Sequence, residues 1–170
     1  RHLTTLGHKK LLYVYEHFNS PLRFSSSRRI TSFETICNDT PGVQGKILPI
    51  DFGDNPLDAT ISELFSSSNP PTALCFHQDS TAIPFLFRLQ KLGIRVPEDL
   101  SIIGFDNSTF AEALGLTTIR QNPCLMAQQA ANIALALINE QPITRRHITA
   151  PLQLLIRNST GPAPDITSAN

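Results

Sequence analysis

Polar residues able to hold a small molecule recur at one kind of place in this chain, directly after short apolar runs. Leu11–Tyr15 ends in Glu16-His17, and Lys46–Ile50 ends in Asp51-Phe52. Ala73–Phe76 runs into His77-Gln78-Asp79, Leu100–Phe105 into Asp106-Asn107, and Thr117–Ile119 into Arg120-Gln121-Asn122. Carboxylates and amides pair with hydroxyl groups, while an aromatic face such as Phe24 or Phe52 covers a ligand's C–H surface. The chemistry this set suits is the grip of a polyhydroxylated molecule. The same residue types also cap helices, so Asp79 and Asp106-Asn107-Ser108 keep two readings, ligand contact and capping. His8 and His17 read as surface or packing residues.

Bond-making chemistry has little support. There is no G-x-S-x-G elbow, P-loop, H-E-x-x-H or C-x-x-C in the sequence. Cys75 and His77 stand two apart in a strand and so share a face, which would suit a nucleophile and its base. Cys75, however, lies inside an apolar run, where a thiol stays protonated and inert. The expectation is a binding protein, not an enzyme, with no cofactor and no metal.

The elements that must position these residues follow from periodicity. Six short apolar runs read as strands: the five above and Leu152–Ile156. Helical period falls between them at about 26–38, 56–67, 80–92, 108–114 and 124–139. Strands separated by helix-length connections imply βαβ units and a mostly parallel sheet with right-handed crossovers. In such sheets ligands bind outside the carboxyl ends of the strands, where the polar residues lie. Gly93 with Pro97 beyond it stops one helix. Pro123 suits the first turn of another. Pro84 sits awkwardly in the 80–92 helix and would push its start later.

Bulk properties agree with a soluble globular piece. The 170 residues are 41% hydrophobic and 16% charged, with 14 Lys+Arg against 14 Asp+Glu. Phosphate-binding surfaces need basic excess or a basic stripe, so this piece alone should not grip DNA. No apolar run is long enough to span a bilayer. Cys37, Cys75 and Cys124 are odd in number and widely spaced, which reads as buried reduced thiols of a cytosolic protein.

Four blocks in order carry a family resemblance. Val96-Pro97-Glu98-Asp99-Leu100-Ser101-Ile102-Ile103-Gly104-Phe105-Asp106-Asn107 resembles the "vPeDisviGfDd" segment of LacI/GalR transcriptional regulators. Leu116-Thr117-Thr118-Ile119-Arg120-Gln121, with Met126 and Ala130, is similar to their "LTTvrQ…M…A" crossover. His2-Leu3 with Leu6-Gly7-His8-Lys9-Lys10-Leu11 is similar to "HLi.lGHr.ia", and Leu155-Ile156-Arg157-Asn158-Ser159-Thr160 to "LivR.St". Together they span residues 1 to about 160.

The resemblance implies an α/β, parallel-sheet, periplasmic-binding-protein-like (type I) fold, mainly its C-terminal lobe with a partial N-terminal lobe. Residues 1–116 would form the C-terminal lobe and 117–141 a crossover segment of the N-terminal lobe. Residues 142–160 would return to the C-terminal lobe, and 161–170 would be a disordered tail. The chain would begin inside the second lobe's first helix, with the helix-turn-helix head and most of the first lobe elsewhere. It implies a cytoplasmic effector-sensing domain that binds a sugar or related metabolite to control operator affinity. The alternative is a periplasmic sugar-type solute-binding protein of a transporter.

The family's effector-clamping arginine in "R..GF" falls on Arg29, with Arg28 beside it. Its "nD" falls on Gln78-Asp79 and its cleft aspartate on Asp106. Phe52 matches the aromatic of "gdf", and Ser25 completes the expected ligand-binding set. This chain departs from the pattern at His77 (a small residue is common), Gln78 (Asn), Ser32 (Gly), Asn122 (Pro) and Ala127 (Gly). The helix after Asp79 carries apolar residues over an arc of roughly 220°, wider than a helix facing only its own core requires. The surplus, Ile83 and Phe87, fits the family's homodimer interface, the other reading being a helix buried on both sides within one subunit. Expected partners are therefore a small effector, a second copy, and DNA only through an upstream head, with no membrane.

Overall fold

The computed structural model describes residues 1–16, 24–51, 57–143 and 147–165, with the side chains of Phe24, Ser25 and Ser26 outside the description. The elements are α1 (His2–Thr5), β1 (Lys10–Glu16), α2 (Phe24–Asp39), β2 (Gln44–Ile50), α3 (Leu57–Ser66) and β3 (Ala73–Phe76). They continue with α4 (Asp79–Lys91), β4 (Ser101–Phe105), α5 (Thr109–Ala113), β5 (Thr117–Arg120), α6 (Pro123–Ile138) and β6 (Gln153–Leu155). The strands form one sheet in the order β2-β1-β3-β4-β5-β6. The first five are parallel, and β6 runs antiparallel to β5. All six expected strands and all five expected helices are present.

Alternation along the strands divides the core. Leu12, Val14, Leu74, Phe76 and Ile102 face α3, α4 and α5, packing on Ile61, Phe85, Leu89 and Ala111. Their neighbours Leu11, Ala73, Cys75 and Ile103 face the other way, toward Leu3 of α1 and Phe33 and Cys37 of α2. Runs apolar on both faces are what a parallel sheet covered by helices needs.

Three expectations are corrected. Pro84 does not delay α4, which begins at Asp79 and continues to Lys91. At the sixth position Pro84 removes one i→i−4 bond, while Ala82, Phe85 and Leu89 pack the helix on the core and hold it through that gap. The tail is not disordered from Gly161. Gly161 N–H donates to Ser101 Oγ (3.0 Å), and Ala163 N–H donates to Leu6 O (2.8 Å). Thr117–Arg120 lies within the sheet, paired with β4 on one side and β6 on the other. The boundary drawn at residue 116 therefore falls inside this sheet, and any crossing begins after Arg120.

Buried His8, only 1% exposed, joins these parts. Its Nε2 lies 3.0 Å from the Gly161 carbonyl and 2.9 Å from Ser101 Oγ, while Nδ1 lies 3.0 Å from Thr72 Oγ1. A carbonyl only accepts, so Nε2 carries the proton and Nδ1 accepts from Thr72. Burial lowers the His8 pKa, against an opposing hydrogen bond to Gly161.

Candidate functional site

The C-terminal ends of β1, β3 and β4 bring Tyr13, His77, Phe105 and Asp106 toward the first half of α2, which carries Arg29. Its Nη1 donates to the His77 carbonyl at 2.7 Å. The guanidinium carbon stands 4.2 Å from the centre of the Phe105 ring, a cation–π contact. A guanidinium has five N–H donors in a planar fork, so one bond to a carbonyl leaves most of that capacity for oxygens of a ligand. Arg29 also ends a groove of about 490 Å³ on the α2 side of the sheet, lined by Tyr13, Cys75, Ile103, Phe105 and Ile119 among others. The groove is mostly apolar, with Arg28, Arg29 and Ser32 among its polar lining on α2 and Arg1, His2 and Thr4 at α1.

Asp106 belongs to the Arg29 end. It is exposed at the tip of β4, and its Oδ1 accepts from Gln121 Nε2 at 2.7 Å. Partial desolvation raises its pKa, with the Gln121 bond and then Arg29 pulling the other way. Its backbone φ of 107° is in the left-handed half of the map, and Asn107 follows at 55°. Residues with a Cβ seldom adopt such angles, which are held by surrounding structure. Here Asp106 N–H donates to Ile119 O (2.8 Å), and Arg157 Nη2 donates to Asn107 Oδ1 (2.8 Å). Gln78 is half-buried at the start of α4, where its side chain makes no capping bond. It is placed at the same sheet edge, one residue beyond His77.

Asp79 is not brought to the cleft. It is 1% exposed, and its two oxygens accept from Ser108 N–H (2.6 Å) and Thr118 Oγ1 (2.7 Å). Its role is structural, tying β3, the loop before α5, and β5 together. Gly104 makes room for it, since a Cβ there would stand 2.1 Å from Asp79 Oδ1. Of the remaining expected residues, Phe52 and His17 lie outside the described residues, as does the side chain of Ser25. Cys75 is half-buried on the groove wall, and burial pushes its thiol pKa up to about 12. It therefore offers no thiolate near neutral pH. Of the three cysteines expected to be buried, only Cys37 is fully so, and Cys124 is exposed.

Sequence reasoning missed Phe105 as the platform for Arg29 and Tyr13 as a partner of His77. The Tyr13 hydroxyl is 2.8 Å from His77 Nδ1. Burial first, then Arg29, brings His77 down to about 4, and burial pushes Tyr13 up to about 12. Both side chains are therefore neutral around pH 7. No local pattern signals this pair: Tyr13 meets His77 through tertiary register, since it pairs with Cys75 on the strand that ends at Phe76, one residue before His77.

Residues 1–160 match the periplasmic binding protein-like domain family. The chain belongs to this family. The relatives it matches include regulators of the LacI/GalR type, and the chain corresponds to their effector-binding domain. It is 28% identical over 163 residues to the HTH-type transcriptional repressor PurR of Vibrio vulnificus, covering 94% of this chain and 48% of that protein. The chain thus spans about half the length of the curated relatives it matches. A LacI family transcriptional regulator from Bifidobacterium animalis subsp. lactis superposes with a TM-score of 0.83 at 28% identity, covering 96% of this chain and 59% of that one. A LacI family regulator from Enterococcus faecium, solved with bound ribose, gives a TM-score of 0.72 at 29% identity over 95% of this chain and 60% of its own. Regulators among the relatives favour the sensing domain over the transporter receptor. Among the described residues no helix is long and apolar enough to cross a membrane.

Proposed function

We propose that this chain senses a small, oxygen-rich effector, a sugar or related metabolite, for a cytoplasmic DNA-binding regulator. The observation that carries this is Arg29, held on the Phe105 ring at the strand ends with its fork largely unspent and Asp106 beside it. Arg29 would clamp two ligand oxygens, while Asp106 and Gln78 would accept from or donate to hydroxyls. Neutral His77 and Tyr13 add no charge. No bond is made or broken in this reading. The relative from Enterococcus faecium was solved with bound ribose, which supports the sugar class.

The effector would favour one arrangement of the complete sensing domain, and so change operator affinity through a separate DNA-binding head. Such coupling requires unequal affinity for the two arrangements. Residues after Arg120, with α6, would belong to the facing lobe. A homodimer would pack the outer face of α4. Phe87 is 55% exposed there, with Leu114 lining the same groove and Phe110 one helical turn away at 67%. Ile83 contributes less than expected, because it is half-buried against its own core.

The test is a thermal-shift screen of sugars and nucleobases on the full-length regulator, where specific binding raises the melting temperature by mass action. Arg29→Ala should abolish the shift for the binding compound and leave the unliganded melting temperature within about 2 °C of wild type, as expected for a substitution outside the core. A variant that responds normally to the effector would refute the assignment.

A further inference from the structure

Arg29 can serve as a clamp only if its long side chain is held in one direction, and the means of holding it come from two other strands. Its Nη1 bond goes to the carbonyl of His77, whose own N–H donates to Val14 O at 2.9 Å. Both backbone groups of His77 are thereby committed, one to β1 and one to α2. The ring of His77 is held by Tyr13 at 2.8 Å, with the two rings edge to face at 6.2 Å. Tyr13 is buried and packs on Phe33, ring centres 5.3 Å apart. Phe33 lies four residues after Arg29 on α2, so the two share one helix face. One turn of α2 therefore meets a single unit of the sheet twice, Phe33 on Tyr13 and Arg29 on His77.

We infer that Tyr13 and His77 are positioning residues that aim Arg29 at the effector, with the Tyr13 hydroxyl donating to His77 Nδ1 and the His77 carbonyl holding the guanidinium. This rests on the effector site proposed above. A phenol is the better donor and an imidazole nitrogen the better acceptor, which leaves the ring proton on Nε2. An uncharged imidazole also keeps a second cation away from Arg29. Burial and Arg29 both depress the His77 pKa, in the same direction. An unheld arginine would give up rotamer freedom on binding, and a fixed one has given it up beforehand.

The experiment is 15N NMR of the ligand-free full-length protein at pH 7. Wild type should show His77 with Nε2 protonated and Nδ1 bare, and an Arg29 Nε–H signal displaced by the Phe105 ring. Tyr13→Phe and His77→Ala should return that signal toward the bulk arginine position, with backbone amides elsewhere unmoved. His77→Gln, which keeps an acceptor for Tyr13, should preserve it. D-ribose is the probe for binding: where wild type binds it, Tyr13→Phe should weaken affinity roughly tenfold, the loss of about one charge-assisted hydrogen bond. An Nδ1–H tautomer in wild type overturns the inference, as does an Arg29 signal unchanged in both disrupting variants. Should Tyr13→Phe fail to fold, the tautomer and the His77 pair still decide. Absence of ribose binding by wild type counts against the sugar reading, and the NMR outcome separately judges the positioning.

Discussion

Asp79 and Arg29 show what residue identity alone can and cannot say. Both were expected at the ligand, yet one is half-buried with most of its donors unspent and the other is sealed in the fold. An aspartate after a strand and before a helix suits either fate, since carboxylates accept equally from ligand hydroxyls and backbone N–H groups. What decides is the company: Ser108 and Thr118 are 29 and 39 residues away in sequence, beyond the reach of local pattern. Gly104 held part of the answer, because a glycine inside a strand marks close approach of another group. Asp79→Ala should lower stability by about 2–4 kcal/mol, since it strands two buried donors bonded to one carboxylate. Gly104→Ala should cost a comparable amount by forcing Asp79 aside. Urea denaturation of each variant measures this, and wild-type midpoints in both would remove the structural role given to Asp79.

At the scale of elements, the strands and helices were legible because the apolar runs alternate with segments of helical period, and two of the helices carry a recognisable stop or start. Gly93 adopts φ 77° just past α4, and Asn122 caps α6 by accepting from Leu125 N–H at 3.0 Å with Pro123 in the first turn. The ordered tail was not legible. Its bonds run from Ser159 to Ile102 and from Gly161 to Ser101 and His8, and a Pro-containing polar end carries no periodic signal of such pairing. His8 makes this latch sensitive to acid. Burial lowers the pKa of His8 and His2, and takes that of His77 to about 4. The unfolded chain binds these protons near the ordinary value of about 6.5, so below that pH it holds more protons than the fold. Stability from these groups is then complete above about 6.5 and falls as pH drops toward the folded values. Urea midpoints should decline from pH 6.5 to 4.5 and stay level from 6.5 to 8. His8→Gln should make the decline shallower, and an unchanged profile would mean that His8 does not drive it.

For the molecule as a whole, the open question is which apolar surface meets what. Phe87, Phe110 and Leu114 form a patch beside the outer face of α4, and a second copy is the proposed cover. Phe87→Asp should convert a dimer of the full-length regulator to monomer in sedimentation at micromolar concentration, with the sheet intact by circular dichroism. Retention of the dimer would move the interface elsewhere. A different argument applies to α6. It is a 16-residue Ala- and Leu-rich helix with none of its residues buried, and Ile138 is 75% exposed. Helices in proteins owe most of their stability to packing of an apolar face, and α6 lacks that packing within the described residues. Its amides should then exchange with solvent far faster than those of β1, β3 and β4, where both neighbours in the sheet are present. Hydrogen exchange read by mass spectrometry on the 170-residue chain tests this peptide by peptide. If α6 instead exchanges as slowly as the sheet, then its apolar face is covered after all, and the assignment of this helix to a facing lobe loses its physical basis. In the full-length regulator proposed above the same peptides should become protected, because a facing lobe would supply the packing that propensity alone cannot.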